Sequence, residues 1–211
     1  MRLMSATVIA YDGGMGRWEP DARGRLAKAA LELYAAQGFD QTTVAEIASR
    51  AGLTERTFFR HFADKREVLF DGSDALRDLM LVAVADAPES ATPVQIASAA
   101  FEAAGAAIQQ NPERARLRNA VISANAELRE RELIKLAWMA SAVTDALRDR
   151  GVPEPTATLA AEAGVAVFKV AFVRWVASTG DLTEIIRETM GMLADQVAYT
   201  REDRKARDRV S

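Results

Sequence analysis

The 211-residue sequence has no cysteine and only one histidine, His61. Disulfides, thiolate metal sites and cysteine nucleophiles are therefore excluded. His61 has neither a second histidine nor a suitably spaced carboxylate pair beside it, so it reads as neither a catalytic base nor a metal ligand. Residues 94–199 contain no nucleotide-binding glycine loop, and no serine stands in a G-x-S-x-G context. The expectation is a protein that is not an enzyme and carries no cofactor and no metal. Long hydrophobic runs are also missing, since none reaches the roughly 18–20 residues of a membrane span. The short apolar patch near the start ends in Asp12 and two glycines and makes a poor signal peptide. These absences, with that of cysteine, point to the cytoplasm and to no membrane partner. A start at Met15 would make residues 1–14 an upstream extension.

Proline and glycine number 6 and 12, and most of them act as punctuation between helical patterns. No segment alternates long enough to be a strand. Asp21–Gln37 places Leu26, Ala29, Ala30, Leu33 and Tyr34 on one face, between a Pro20-Asp21 start and a Gly38 stop. Thr43 with Glu46 forms a capping box before Val44, Ile47 and Ala48. Thr54 caps the next short helix, and Asp64 with Glu67 starts a longer one. Closely spaced caps of this kind define short helices joined by tight turns, the geometry of a helix-turn-helix. Beyond "DAPESATP" (Asp86–Pro93), read as the best candidate linker, helices are expected near 94–110, 113–125, 127–149, 156–178 and 182–199. The fold class is all-α. Expected divisions are an N-terminal arm (1–19), a three-helix helix-turn-helix domain (20–66), and a larger regulatory and dimerisation domain (67–200) joined to it by a helix over 64–86. A charged tail (201–211) follows.

The formal net charge of -3 hides a gradient. Residues 50–66 carry 5 Lys/Arg against 2 Asp/Glu, whereas residues 71–200 carry 12 against 18. The basic excess centres on "TERTFFRHF", Thr54–Phe62. On a helix Phe58 and Phe62 share one face and can pack on Leu53, Val44 and Ile47. Phe59 is rotated about 100° away and joins Glu55 and Arg56 on the outside. In a major groove Arg56 can donate two hydrogen bonds to guanine, Thr57 can reach a base or phosphate, and Phe59 can meet a thymine methyl or a sugar. Arg60, His61 and Lys65 suit phosphates, aided by helix N-termini at Thr43 and Asp64. The competing interpretation is a helix-turn-helix used only for packing.

The run "TTVAEIASRAGLTERTFFRHFADKREVLF", Thr42–Phe70, resembles the DNA-binding segment of the tetracycline-repressor-type (TetR) family of bacterial regulators. T-V-x-x-I-A, A-G-L, F-F-R-H-F and D-K-x-x-V-L-F follow one another at the family's spacing, and the likeness covers roughly residues 20–70. It implies that Thr43 is a phosphate-contacting cap and that Thr54 opens the recognition helix. Glu55, Arg56 and Thr57 would read bases, and His61 and Lys65 would meet phosphates. Arg56 stands where the family commonly has Gly, Ala or Pro, and Phe59 where it commonly has Tyr, so a phosphate contact through a tyrosine hydroxyl is lost. Arg17, ahead of the first helix, is a candidate for a minor groove by analogy with the arms of other helix-turn-helix proteins; Trp18 would pack over that helix.

The resemblance also implies a small-molecule effector pocket in the larger half. Phe101, Val121, Trp138, Met139, Phe168, Phe172 and Trp175 are candidates for its lining, with core packing as the alternative for each. A homodimer would explain how one short recognition helix suffices, because two of them read a palindrome. Ala160 and Gly164, then Leu182, Ile185, Ile186 and Leu193, form the stripes expected at its interface, unless both face the chain's own core. The function expected is a homodimeric repressor released from operator DNA by a small molecule. A ligand-independent dimeric regulator and a helical-bundle enzyme or carrier are the alternatives.

Overall fold

The computed structural model describes residues 21–208, and their side chains as far as Gln196. The expected arm, with Arg17 and Trp18, and the last three residues lie outside the described part. Among the described residues the regular elements are all helical. They are α1 (Ala22–Gln37), α2 (Val44–Arg50), α3 (Glu55–His61), a 3-10 turn (Glu67–Phe70), α4 (Ser73–Asp86), α5 (Pro93–Ile108), α6 (Pro112–Ala124), α7 (Ala126–Asp149), α8 (Thr156–Val176) and α9 (Leu182–Asp208). Helix α9 continues nine residues beyond its expected end at 199, into the segment read as a tail.

The short helices start where their caps predict. The Asp21 carboxylate accepts from the Gly24 N–H, Thr43 and Glu46 cap each other reciprocally, and the Thr54 hydroxyl accepts from the Thr57 N–H. Each side chain satisfies one of the N–H groups that a helix start leaves without a partner. Helices α1–α3 and the 3-10 turn close over Leu26, Ala30, Tyr34, Phe39, Ile47, Phe58, Phe62, Val68, Leu69 and Phe70. The same core takes in Val121 and Ile122 of α6 and Leu128 of α7. The N-terminal unit is thus seated directly on the α6–α7 end of the larger one.

Two expectations about the connections are corrected. No continuous helix runs over 64–86. The Asp64 carboxylate accepts from the Arg66 and Glu67 N–H groups and starts only one 3-10 turn. The chain then breaks at Asp71-Gly72, where Gly72 has φ +88°, a left-handed conformation that glycine adopts without a Cβ penalty. The segment 86–93 is not a domain linker either. It is a short turn, closed by a second capping box at Thr92 and Gln95. The helices it joins share one core, in which Met80 and Val84 of α4 meet Ile96, Ala97, Ala100 and Phe101 of α5.

Helices α7 and α8 complete that core with Met139, Val143, Leu147, Ala157, Ala160 and Ala161. Gly164 lets α8 approach α5 so closely that a Cβ there would lie 2.5 Å from the Phe101 ring. At the far end Trp175, Leu182 and Ile186 pack with Ala115, Val167 and Ala171. The expectation that no segment is long and apolar enough for a membrane span also changes. Helix α8 meets that test by length and composition, with a mean hydropathy of 1.5. Its buried side is nevertheless part of the protein core.

Candidate nucleic-acid interface and the cavity behind it

The recognition helix is held from beneath by its aromatic residues. Phe58 is fully buried, Phe62 nearly so, and their ring centroids lie 5.6 Å apart. Phe59 turns outward, 56% exposed, with its ring edge-on to Phe58 at 5.4 Å. Around it Glu55, Arg56 and Arg60 are exposed, and Thr57 is half-buried with its hydroxyl 3.1 Å from that of Thr54. Neither Arg56 nor Arg60 has an ion-pair or hydrogen-bond partner for its guanidinium among the described residues. Two unneutralised cations and an exposed ring on one helix face form a surface that a polyanion can cover at little desolvation cost.

The flanking residues are more committed. The Thr43 backbone N–H donates to Glu46 Oε2 at 2.8 Å, and this bond, foremost, holds the Glu46 carboxyl below its usual value. The Thr43 hydroxyl donates to the same oxygen. His61 is half-buried, and its Nε2 is buried without a hydrogen-bond partner, so a phosphate contact falls to the other ring nitrogen. Lys65 Nζ lies over the Phe39 ring at 4.3 Å and donates to the carbonyls of Phe39, Asp40 and Thr42 at 2.8, 3.4 and 3.0 Å. An ammonium has three N–H donors, and all three point to the α1–α2 loop. The Lys65 carbonyl in turn accepts from Tyr34 Oη at 2.6 Å, and burial raises the pKa of that phenol. Lys65 therefore acts first as a pin for the loop that presents α2. The N–H groups expected at the Asp64 turn are taken by its own carboxylate.

Ion pairs fasten this unit to α7. Glu67 Oε1 accepts from Arg131 Nε at 2.6 Å, and Lys135 Nζ is 3.6 Å from Glu67 Oε2. The Arg131 hydrogen bond is the main cause of the lowered Glu67 pKa, and Arg66 likewise lowers that of Asp64. Because both folded-state values lie below the unfolded ones, the stabilisation is complete at neutral pH. It erodes once the pH falls below about 4.3, the unperturbed glutamate value, and is lost on passing through the folded values. We expect Glu67→Gln to flatten the acid limb of a thermal-unfolding-against-pH profile. An unchanged limb would exclude the clamp.

Behind the junction lies a cavity of about 340 Å³, at the lower end of the roughly 300–1,000 Å³ usual for small-molecule sites. Its apolar wall includes Leu76, Met80, Phe101, Met139, Phe168 and Phe172. Of the residues expected to line a pocket, Phe101, Met139, Phe168 and Phe172 do so. Val121 is instead buried in the first core, Trp175 in the third, and Trp138 packs beside the second under the Arg77 guanidinium. The near wall is Leu69–Ser73, the same stretch that joins the two units. Arg118 of α6 donates to the Leu69 carbonyl at 2.7 Å, lies over the Phe70 ring and pairs with Glu132 of α7 at 2.6 Å. Asp71 pairs with Arg23 of α1 at 2.6 Å, and the Arg23 guanidinium lies over Phe62 at the end of α3. "RARLR" in α6 carried no periodic signal that assigned Arg118 a partner.

The stripes expected at a dimer interface mostly face inward. Ala160, Gly164, Leu182 and Ile186 are buried in the chain's own core, and Ile185 is half-buried. Leu193 is exposed. The outward side of α8 carries Leu159, Ala166, Val170 and Val173, and Met192 of α9 is exposed as well.

The three short helices, with α3 facing outward, form a helix-turn-helix unit seated on a larger helical bundle. Residues 26–71 match the family of bacterial regulatory proteins described as the tetR family. TcmR, an HTH-type transcriptional regulator of Streptomyces glaucescens, is 43% identical over 81 residues, which is 38% of this chain and 36% of TcmR. The chain spans about a third of the length of the curated relatives it matches first. Two solved structures share the fold over most of the chain. The fatty acid degradation regulator FadR from Bacillus halodurans aligns with a TM-score of 0.55 at 16% identity, covering 84% of this chain and 96% of FadR. SmeT in complex with triclosan aligns with a TM-score of 0.59 at 21% identity, covering 81% of this chain and 88% of SmeT. Residues 26–71 thus carry a DNA-binding segment of the tetR type.

Proposed function

We propose that the protein is a homodimeric repressor acting in the cytoplasm. It binds a palindromic operator through α3 and is released when a small molecule enters the cavity behind Leu69–Ser73. The observation that carries the DNA-binding part is the α3 face, where unpaired Arg56 and Arg60 flank an exposed Phe59 above the buried Phe58. On this reading Glu55, Arg56 and Thr57 read base edges and Phe59 makes an apolar contact. Thr43, Thr54, Arg60 and His61 meet phosphates and sugars. Lys65 is reassigned from phosphate contact to positioning the α1–α2 loop.

Release by a ligand is supported by the shared wall. A molecule that displaces Leu69–Ser73 or Arg118 acts on a stretch tied through Asp71 and Arg23 to α1 and Phe62. It can therefore favour a state with different recognition-helix spacing. Dimerisation is supported by the apolar character of α8. A helix that is apolar on most sides is normally covered on most sides, yet only a third of its most apolar stretch is buried in the single chain. A second copy packed on Leu159, Val170 and Val173 covers the remainder, and the two-fold symmetry it brings matches a palindrome.

The purified protein is expected to enrich a palindromic sequence from a pool of random DNA, and failure to enrich one would overturn the reading. On that operator Arg56→Ala should cost about 1–3 kcal/mol if the guanidinium is bidentate to guanine. An equal loss on random DNA would limit Arg56 to phosphate contact.

A further inference from the structure

We propose that the effector is an anionic amphipath, with an apolar body on the Phe101–Phe168–Phe172 wall and an acidic head bound by Arg114 and Asn111 at the start of α6. The proposal rests on the reading of this cavity as the effector site and adds the ligand's chemical class. Its basis is a census of the polar groups around the cavity. Asp71 is paired with Arg23, and Glu132 with Arg118, so both lining carboxylates are neutralised. Each nitrogen of the Arg118 guanidinium and the Ser73 hydroxyl is also engaged: Arg118 Nε donates to the Leu69 carbonyl, Nη1 and Nη2 to Glu132, and the Ser73 hydroxyl to the Phe70 carbonyl. Lys135 lies against Glu67. Arg114 alone among the charged lining residues has no partner for its side chain among the described residues. Asn111 spends its carbonyl oxygen on the Arg114 N–H, which leaves its side-chain NH2 available.

The groups that remain open at the cavity are therefore donors, one of them cationic, and no carboxylate is left over. A cationic ligand would have to break an existing ion pair to find a counter-charge. A neutral ligand would leave the Arg114 charge uncompensated while removing water from around it, a cost that a bound carboxylate, sulfonate or phosphate head offsets. The aromatic part of the lining carries no charge and offers three phenylalanine rings in a row, with centroid spacings of 5.8 and 5.9 Å. Such a surface suits a flat or chain-like apolar body. An anionic head at this position also lies on the same helix as Arg118, four residues along, and can compete with Glu132 for it.

The test uses two fluorescent probes that share one aromatic body, 1-anilinonaphthalene-8-sulfonate and the uncharged N-phenyl-1-naphthylamine, with the full-length protein. Both are expected to bind and to compete for one site. Ala107→Trp, which intrudes into the cavity from α5, should abolish both. Arg114→Gln changes an exposed residue and should leave the circular dichroism and the melting temperature unaltered. It should weaken the sulfonate by about tenfold, as expected for loss of a charge-assisted hydrogen bond, and leave the uncharged probe within about twofold. If Arg114→Gln weakens both probes alike, or neither, the head assignment falls while the cavity remains a binding site. If Ala107→Trp leaves both unaffected, or neither probe binds, the cavity is not an effector site and both readings fall.

Discussion

Replacing both Val170 and Val173 with glutamate is expected to convert the protein to a monomer and to reduce its operator binding to the level seen with random DNA. Specific and non-specific affinities of DNA-binding proteins typically differ by about 10³-fold or more, so the loss should be at least of that order. The argument begins with exposure: Val170 is 54% and Val173 68% accessible in the single chain. Acidic side chains there remain hydrated in the monomer, and folding should be unaffected. In a two-fold dimer each substitution appears twice around one axis, which buries like charges against each other and against apolar surface. A monomer keeps its recognition helix and its phosphate contacts but loses the second half-site. Sedimentation would report the mass, circular dichroism the fold, and competition with random DNA the specificity. A variant that remains dimeric would move the interface elsewhere, and a wild-type monomer would remove it.

Phe58→Ala acts within the first core and should be the most damaging single substitution in the N-terminal unit. The ring is fully buried, lies against Phe59 and Phe62, and sits in one cluster with Ile47, Leu26 and Tyr34. Truncation of such a phenylalanine costs about 3–5 kcal/mol, a large share of the 5–15 kcal/mol that stabilises a typical domain. Helix α3 has only seven residues and cannot persist without packing. Chemical denaturation should show the loss in full, and operator affinity should fall although no DNA-contacting group has been removed. Phe59→Ala is the control. It removes an exposed ring, so stability should change little while DNA binding weakens. A Phe58→Ala protein with unaltered stability would contradict the assignment of which ring faces inward.

What could be foreseen from the sequence was local. The caps at Asp21, Thr43 and Thr54 involve residues three apart, and the inward positions of Phe58 and Phe62 follow from one helical turn. What could not be foreseen depended on which neighbour a face meets. Ala160 and Gly164 permit close approach, and the sequence is silent on whether a second copy or α5 approaches. Gly164 accommodates Phe101 of the same chain. Helix α8 is apolar on most sides, so its periodicity does not say which side is inward. Val121 and Trp175 look like pocket aromatics and aliphatics but lie under other helices. Asp64 with Glu67 read correctly as a cap, yet the helix it was expected to start stops after one turn, because Asp71 pairs with Arg23 and Gly72 takes a left-handed conformation.

The first core has a consequence for how such regulators can be recombined. Val121, Ile122 and Leu128 belong to α6 and α7 but are buried with the residues of α1–α3. The recognition unit is therefore not a detachable cassette. A chimaera joined near residue 70 would separate α1 from the surface it was built against, and a foreign bundle would have to reproduce the apolar seat at the α6–α7 bend as well as the ion pairs of Glu67. On the proposed function, operator preference and effector response would be inherited together, because the seam between the two units runs through side chains far apart in the sequence.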